Sequence, residues 1–241
     1  MVNGNISSPF NIRRGCRQGD PISGYLFILV VEILALLLRK NKSIKPYRTK
    51  FRHEHFIDMY ADDLSVYLEF KRKNRFENKQ NVQNILQTMD KFKEWSGLKI
   101  NLGKTNLTVF GKQAEKPTFV DELNLKWCVD FKLLGIYFNS TLSRMHINYD
   151  IALEAIRREI NSWKYRFLTI YGKITVIKTL CIPKINHIVA VVPNPSIAHL
   201  KSLESELKFF ITDGNPSVVD EKTRRMAVKD GGFGVPNINT F

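Results

Sequence analysis

The chain has 241 residues, 44% of them hydrophobic, which is enough for one large domain or two small ones around a real core. Its formal net charge of +14 favours polyanionic partners, and both nucleic acid and an anionic membrane qualify. The three cysteines, Cys16, Cys128 and Cys181, match neither a disulfide framework nor a zinc site. They indicate a reducing intracellular setting, in the cytoplasm or the nucleus.

The first eleven residues lack the apolar core of a secretory signal. A turn signal at residues 3–5, Asn-Gly-Asn, predicts a hairpin there. The longest apolar run covers residues 25–38, is interrupted by Glu32, and falls short of the length that crosses a bilayer. We therefore expect a buried helix and no membrane partner.

The residues before this run predict where the helix begins. Asp20 can accept hydrogen bonds from the first free N–H groups, and Pro21 suits the first helical position. The helix should end near Arg39 and Lys40, whose charges suit its negative end.

The same segment permits two interpretations. It can be only a well-capped core helix. Alternatively, Arg17, Gln18 and the backbone of Gly19 cluster before a helix N-terminus, where N–H groups and the helix dipole attract phosphate. Sequence physics leaves both interpretations open.

Two basic clusters flank the next motif. The first comprises Arg39, Lys40, Lys42, Lys45, Arg48, Lys50 and Arg52. The second covers residues 71–75 and can also be a weak nuclear-localisation signal. Each can be a solvated loop, but with the net charge they indicate contacts to backbone phosphates. Such contacts carry no sequence specificity.

Between these clusters, the apolar runs 55–59 and 64–68 flank Tyr-Ala-Asp-Asp at residues 60–63 and predict two strands joined by a tight turn. Asp62 and Asp63 then stand together at the tip, where like charges repel unless a cation lies between them. The pair suits a hard divalent ion such as Mg²⁺, which takes oxygen ligands. Asp also favours ordinary turns, so this motif alone is ambiguous.

Residues 80–96 predict an amphipathic helix that Gly97 ends. The stripe that we expect in the core comprises Val82, Ile85, Leu86, Met89, Phe92 and Trp95. A loop and a strand at residues 107–110 follow. Lys104 lies near the start of that strand, where a lone lysine is solvated unless the fold brings it close to the aspartate pair.

Residues 131–138 predict a strand in which Gly135 marks a bulge or a tight turn. After Asn139 the pattern becomes helical, and this change predicts a domain boundary near residue 140. Gly172 should interrupt the helical pattern, which resumes at residues 174–182 before Pro183. The first helical stripe comprises Leu153, Ile156, Ile160, Trp163 and Phe167.

Farther on, Ser196 can cap a last helix. Its apolar stripe comprises Leu200, Leu203, Leu207 and Phe210. The glycine-rich residues 231–234 do not form a phosphate loop, because no Lys-Ser/Thr pair follows them.

Four motifs, in this order, resemble those of reverse transcriptases, most closely the non-LTR (LINE-type) retrotransposon class. They are Arg-Gln-Gly-Asp-Pro at 17–21, Tyr-Ala-Asp-Asp at 60–63, Gly-Leu-Lys-Ile-Asn with Lys-Thr at 97–105, and Leu-Gly-Ile at 134–136. Residues 163–184 and 231–238 also resemble that class, so the resemblance covers essentially the whole chain.

The resemblance implies an RNA-directed DNA polymerase with an α+β fold. Residues 1–140 would form a partial right-hand palm, an antiparallel sheet with helices on one face. Residues 141–241 would form a helical thumb and C-terminal extension. The implied partners are an RNA template, a DNA primer and a dNTP, and the implied reaction is attack of the primer 3′-OH on the nucleotide α-phosphate with two Mg²⁺ ions.

The resemblance also implies residue roles. Asp62 and Asp63 would hold the catalytic metal ions, and Lys104 would lie near the departing pyrophosphate. The nucleotide pocket would be lined by Arg17, Gln18, Gly19, Tyr60 and Ala61. The primer-gripping hairpin would comprise Leu134, Gly135, Ile136 and Tyr137.

One feature departs from the family pattern. The family's palm carries another metal-binding Asp on a strand before the 17–21 segment, yet none of the sixteen residues before Arg17 is acidic. Asp20 and Asp58 are nearby, but neither occupies that position. We therefore expect an N-terminally truncated copy that lacks the fingers and the endonuclease portion of a longer polyprotein. Such a chain would polymerise poorly or not at all in isolation; the alternative is a non-catalytic nucleic-acid-binding fragment or relic.

Overall fold

The computed structural model describes residue 15 and residues 19–111, 115–215 and 220–235. The chain divides into two compact units. The first comprises Met1–Thr105 with Pro117–Lys126, and the second comprises Asn106–Lys116 with Trp127–Phe241. Helices mixed with short antiparallel strands confirm the α+β class. The hairpin predicted at residues 3–5 lies outside the described residues.

The first unit combines helices with two short hairpins. Its helices are α1 (Ser23–Lys40), α2 (Arg75–Ser96) and α3 (Phe119–Glu122), and its strands are β1 (Tyr47–Arg48), β2 (Glu54–His55), β3 (Ile57–Tyr60) and β4 (Asp63–Val66). β1 pairs antiparallel with β2, and β3 pairs antiparallel with β4.

The predicted first helix is present, but it begins at Ser23, two residues beyond Pro21. Asp20 still satisfies free N–H groups at this end. The Ile22 N–H donates to its Oδ1 at 3.0 Å, and the Ser23 N–H donates to its carbonyl oxygen at 3.1 Å. Arg39 and Lys40 lie in the last turn, as predicted.

The prediction that this helix is buried is wrong for its N-terminal half. Leu34 and Leu38 are buried in the first unit's core, whereas Tyr25, Ile28 and Leu29 are largely exposed. The first unit's core packs against the middle and the C-terminal turns of α1, from Val30 onward, so apolar composition alone did not decide burial. Among the described residues, no helix is long and apolar enough to span a bilayer.

Most of the core stripe predicted for α2 is confirmed, because Val82, Ile85, Met89 and Phe92 are all buried. Gly97 ends the helix with a left-handed φ of 74°, as predicted. Trp95 is an exception at 69% exposure, because it stands in the last turn of α2, beyond the elements that pack on the helix.

The second unit is mainly helical. Its helices are α4 (Ile147–Trp163), α5 (Ile170–Val176), α6 (Ile182–Val189), α7 (Ile197–Thr212) and α8 (Glu221–Arg225), with a π-helical turn at Ile177–Cys181 and a 3₁₀ turn at Val228–Asp230. Its strands are β5 (Asn106–Leu107), β6 (Lys126–Trp127, which begins in the first unit), β7 (Asp130–Leu133) and β8 (Ile136–Asn139). The strand expected at 107–110 is thus confined to β5.

Four helices and the π-helical turn enclose the core of this unit. Buried side chains from α4, α5, α6, α7 and the π-helical turn form most of it, including Ile156, Ile174, Ile177, Ile185 and Leu203. Ser196 caps α7 by accepting a hydrogen bond from the His199 N–H, as predicted.

Two predicted features of the helical pattern are wrong. Phe167 lies outside the core, because α4 already ends at Trp163. Gly172 and Pro183 do not interrupt the helical path, since Gly172 lies inside α5 and Pro183 lies in the first turn of α6. The π-helical turn before Pro183 has a wider hydrogen-bond spacing, which accommodates a ring that lacks an N–H.

Candidate active site

The acidic motif forms the predicted strand–turn–strand. β3 and β4 pair with Ile57 opposite Val66 and Tyr60 opposite Asp63, so Ala61 and Asp62 form a two-residue turn. Ala61 has a φ of 51°, as the first central residue of a primed hairpin turn requires. A non-glycine residue costs roughly 1–2 kcal/mol in this region. Such strain clusters at functional sites.

Alternation along the strands separates the two faces of this hairpin. Ile57, Met59, Leu64 and Val66 pack against the first unit's core. The opposite face is exposed, and Tyr60 is the large side chain on it. The core thereby fixes which way the tip faces.

Both carboxylates at the tip are exposed and have no hydrogen-bond or ion-pair partner among the described residues. Ionised carboxylates are acceptor-only groups, and free oxygens of this kind are the ligands that Mg²⁺ prefers. Asp62 and Asp63 therefore fit part of a magnesium site. Among the described residues, no three His, Cys, Asp or Glu side chains gather closely enough to hold a metal ion.

Asp58 carries the third carboxylate of this hairpin, and its neighbours already engage it. The Nε2 atom of His55 lies 3.0 Å from Asp58 Oδ2. Burial raises the pKa of Tyr67, and a hydrogen bond to Asp58 raises it further. The His55 and Tyr67 rings also pack together, with centroids 4.5 Å apart. Asp58 thus serves the stem of the hairpin rather than its tip.

The structure describes three of the five predicted nucleotide-binding residues. Arg17 and Gln18 lie outside the described residues. Gly19 is exposed just before α1 with a φ of 89°, a conformation that favours glycine. Tyr60 and Ala61 are exposed beside the acidic tip. Their joint role in binding a nucleotide stays a prediction.

Lys104 lies in a turn that Asn101 organises. The Lys104 N–H donates to the Asn101 carbonyl oxygen at 3.0 Å, and its ammonium has no partner among the described residues. The side chain is exposed and free to bind an anion. A role beside pyrophosphate stays a prediction.

Residues 131–138, predicted as a strand with a bulge or tight turn at Gly135, form a second hairpin, and the predicted primer-gripping residues 134–137 lie at its turn. Gly135 marks a tight turn, because β7 and β8 pair antiparallel with Leu133 opposite Ile136. Leu134 and Gly135 have φ values of 45° and 89°, the pattern of a type I′ turn. His187 Nε2 lies 2.8 Å from the Leu134 carbonyl oxygen, which ties this tip to α6.

Asn148 positions the same hairpin, and sequence reasoning missed it. Its Oδ1 accepts from the Tyr137 N–H at 2.8 Å, and its Nδ2 donates to the Tyr137 and Met145 carbonyl oxygens at 2.9 and 3.0 Å. The side chain is buried in the first turn of α4. Its only sequence signal is a polar residue at an otherwise apolar helix position.

Asparagines on α2 hold the first basic cluster, which the sequence also did not reveal. Asn81 accepts from the Lys45 N–H at 2.7 Å and donates to the Lys45 carbonyl oxygen at 3.1 Å. Asn84 donates to the Ser43 carbonyl oxygen at 2.9 Å. These buried amides replace the backbone partners that an irregular segment lacks.

Part of the basic charge is neutralised. Lys45 and Lys71 share Glu77, and Arg48 pairs with Glu54 at 2.6 Å. Glu77 remains ionised because hydrogen bonds from these two lysines lower its pKa. The cations of the first cluster without an ion pair among the described residues are Lys40, Lys42, Lys50 and Arg52.

Comparison with known proteins gives one family. The family model for reverse transcriptase (RNA-dependent DNA polymerase) matches residues 1–138. Over 97% of its length the chain is 25% identical to an uncharacterized 149 kDa protein of transposon TX1 from Xenopus laevis, of which it covers 17%. Over 27% of its length it is 37% identical to an uncharacterized mitochondrial protein of Arabidopsis thaliana, of which it covers 57%. The chain therefore spans less than two thirds of either relative.

Proposed function

Because the chain belongs to the reverse transcriptase (RNA-dependent DNA polymerase) family, we propose that it contributes to an enzyme of a non-LTR (LINE-type) retrotransposon that copies RNA into DNA. The acidic hairpin tip carries this proposal, since it exposes two unpaired carboxylates on a stem fixed by the core. Similarity to the TX1 transposon protein along 97% of the chain supports the retrotransposon class.

In this proposal Asp62 and Asp63 hold Mg²⁺, which when bound stabilises charge on the attacking and leaving oxygens. Arg17, Gln18 and Gly19 bind the incoming nucleotide, and Tyr60 and Ala61 line the same pocket. The ammonium of Lys104 stabilises the departing pyrophosphate by its positive charge.

The turn between β7 and β8 grips the primer end in this proposal, with residues 134–137 as the contact. Two observations support a rigid grip. The His187 ring lies within hydrogen-bond distance of the Leu134 carbonyl oxygen, and the Asn148 amide binds both backbone groups of Tyr137. A fixed contact would keep the 3′-OH in line for attack. Residues 1–140 would serve as palm and residues 141–241 as thumb.

We expect the 241-residue chain assayed alone to extend a DNA primer on an RNA template weakly or not at all. The reason is that its acidic tip offers two carboxylates, and the described residues add no third. Fused behind the fingers and first catalytic strand of a related reverse transcriptase, the chain should extend the primer.

Asp62→Ala in that fusion should lower the extension rate by about 10³-fold, because a lost metal ligand removes several kcal/mol of stabilisation. Asp90→Ala, an exposed aspartate on α2, is the matched control and should retain activity. If the fusion keeps its activity after Asp62→Ala, Asp62 does not have the proposed role in holding the metal ion. If the chain alone extends the primer and loses this activity with Asp62→Ala, the expectation that the chain alone is inactive is wrong.

A second function, binding nucleic acid without catalysis, is favoured by the net charge of +14 and the unpaired basic side chains of the first cluster. It predicts that affinity for an RNA–DNA hybrid falls about 10- to 100-fold between about 50 and 200 mM salt, because a few phosphate contacts release counterions. Filter binding measures this. Asp62→Ala should leave the affinity unchanged, and neutral substitutions at Lys40, Lys42 and Lys50 should flatten the salt dependence. Affinity independent of salt would exclude this mode.

A further inference from the structure

The loop that joins α4 to α5 exposes aromatic rings between basic side chains. We call residues 163–169 the aromatic turn. Its first five residues are Trp163, Lys164, Tyr165, Arg166 and Phe167. Tyr165 is 86% exposed and Phe167 is fully exposed. Rings this large are normally buried, and neighbouring exposed rings are typical of an interaction surface.

The inner side of the aromatic turn is anchored. The Trp163 Nε1–H donates to Glu159 Oε1 at 3.1 Å, and the Arg166 N–H donates to the Trp163 carbonyl oxygen at 3.1 Å. Hydrogen bonds from Lys184 and Trp163 lower the pKa of Glu159, so this carboxylate stays ionised. The Arg166 guanidinium lies 4.5 Å from the centroid of the Trp163 ring, a cation–π contact.

The far end of the aromatic turn is anchored as well. The Leu168 N–H donates to the Arg166 carbonyl oxygen at 2.8 Å, and Thr169 caps α5 by accepting from the Gly172 N–H at 3.2 Å. Leu168 and Ile170 pack against the second unit's core. The aliphatic side chains and Trp163 therefore pack inward, and Tyr165, Phe167 and the two cationic side chains remain outside.

We propose that the aromatic turn binds single-stranded nucleic acid. Bases stack on Tyr165 and Phe167, and phosphates lie beside Lys164 and Arg166. Aromatic platforms combined with cations give binding that tolerates any sequence, because every base has a flat face. The positive charge of the chain complements such a polyanion.

A single strand suits this surface better than a duplex or a membrane. Stacking requires an open base face, which a duplex hides within its stack. A membrane-inserting loop would combine its aromatic rings with exposed aliphatic side chains, whereas here the neighbouring Leu168 and Ile170 are held in the core. The surface belongs to the second unit alone, so this binding is independent of the polymerase chemistry proposed for Asp62.

The test measures fluorescence anisotropy of a labelled oligothymidine of about 20 nucleotides with the full chain. The double variant Tyr165→Leu, Phe167→Leu keeps apolar side chains but removes the rings on which bases stack. It should raise the Kd for oligothymidine about tenfold or more. Phe167→Trp should retain wild-type affinity, because tryptophan also stacks. Trp95→Leu, at a largely exposed aromatic residue in the last turn of α2, should stay within about twofold of wild type.

Two control ligands test whether duplex DNA or a membrane binds this surface instead of a single strand. A blunt duplex of the same length should bind with nearly equal affinity to wild type and the double leucine variant. Vesicles of phosphatidylcholine and phosphatidylserine should not distinguish them either. The proposal is overturned if the double variant binds oligothymidine as tightly as wild type, or if it loses only vesicle binding, which would assign the surface to a membrane. Asp62→Ala should leave oligothymidine affinity unchanged, so this test stands apart from the polymerase assay.

Discussion

At the scale of single residues, the hairpin at residues 57–66 separates two kinds of aspartate that the sequence does not distinguish. Asp62 and Asp63 are unpaired at the tip, whereas Asp58 is engaged by His55 and Tyr67 on the stem. Alternation along the strand places Asp58 on the face opposite Ile57 and Met59, which pack on the core. The sequence could not show that Asp58 has partners, because Tyr67 follows the paired part of the opposite strand.

This arrangement makes a prediction for pH. The pKa of Tyr67 is raised by burial and by Asp58, so folding favours the protonated phenol. Its contribution to stability is therefore complete below pH 10 and lost as the pH rises through the raised pKa. Asp58→Asn should lower the pKa of Tyr67 while leaving the effect of burial. A ¹³C-tyrosine NMR titration, with Tyr67→Phe to assign the signal, measures this.

Asp63→Asn is the matched control, because it removes a charge from the same hairpin without touching Tyr67. It should leave the Tyr67 titration close to wild type. An Asp58→Asn protein in which Tyr67 titrates as in wild type would show that burial alone raises the pKa.

At the scale of elements, the sequence predicted the helices and strands whose apolar residues are the ones that pack against the core. The 3.6-residue periodicity located α2, α4 and α7, and the two apolar runs on either side of residues 60–63 located the acidic hairpin. Local rules failed where tertiary structure overrides them. Leu134 adopts a φ of 45° that its side chain disfavours, so the apolar pattern of residues 131–138 left open whether Gly135 marks a bulge within one strand or the tight turn that it forms. Pro183 did not stop the helical path, because a π-helical turn precedes it.

Asn148 links two of these elements, which gives a prediction for stability. Asn148→Ala leaves the part-buried N–H and carbonyl of Tyr137 without this partner, at about 1–3 kcal/mol for each unsatisfied group. We expect the free energy of unfolding to fall by about 2–4 kcal/mol, measured by urea denaturation. Asn161→Ala, at an exposed position of the same helix, should change it by less than about 0.5 kcal/mol. Equal effects of the two substitutions would argue against this link.

At the scale of the whole molecule, four short motifs in order predicted the family, which the comparison with known proteins confirmed over residues 1–138. The sequence could not predict how the chain divides. The β7–β8 hairpin belongs to the helical unit, where Asn148 binds the backbone of β8. Residues 106–116 belong to it as well, and backbone hydrogen bonds join Leu107 to Cys128 and Gly111 to Ser140. The palm and thumb assigned on either side of residue 140 stay predictions.

The proposed polymerase activity depends most on one property, that the acidic tip binds a divalent cation. Titration of Mn²⁺ as a Mg²⁺ substitute, followed by electron paramagnetic resonance of the free ion, measures it directly. Two carboxylates should bind the ion with about millimolar affinity, and Asp62→Asn with Asp63→Asn should weaken it at least about tenfold. Asp90→Asn should bind as wild type does. A double variant that binds Mn²⁺ as tightly as wild type would contradict the assignment of this hairpin as a catalytic centre.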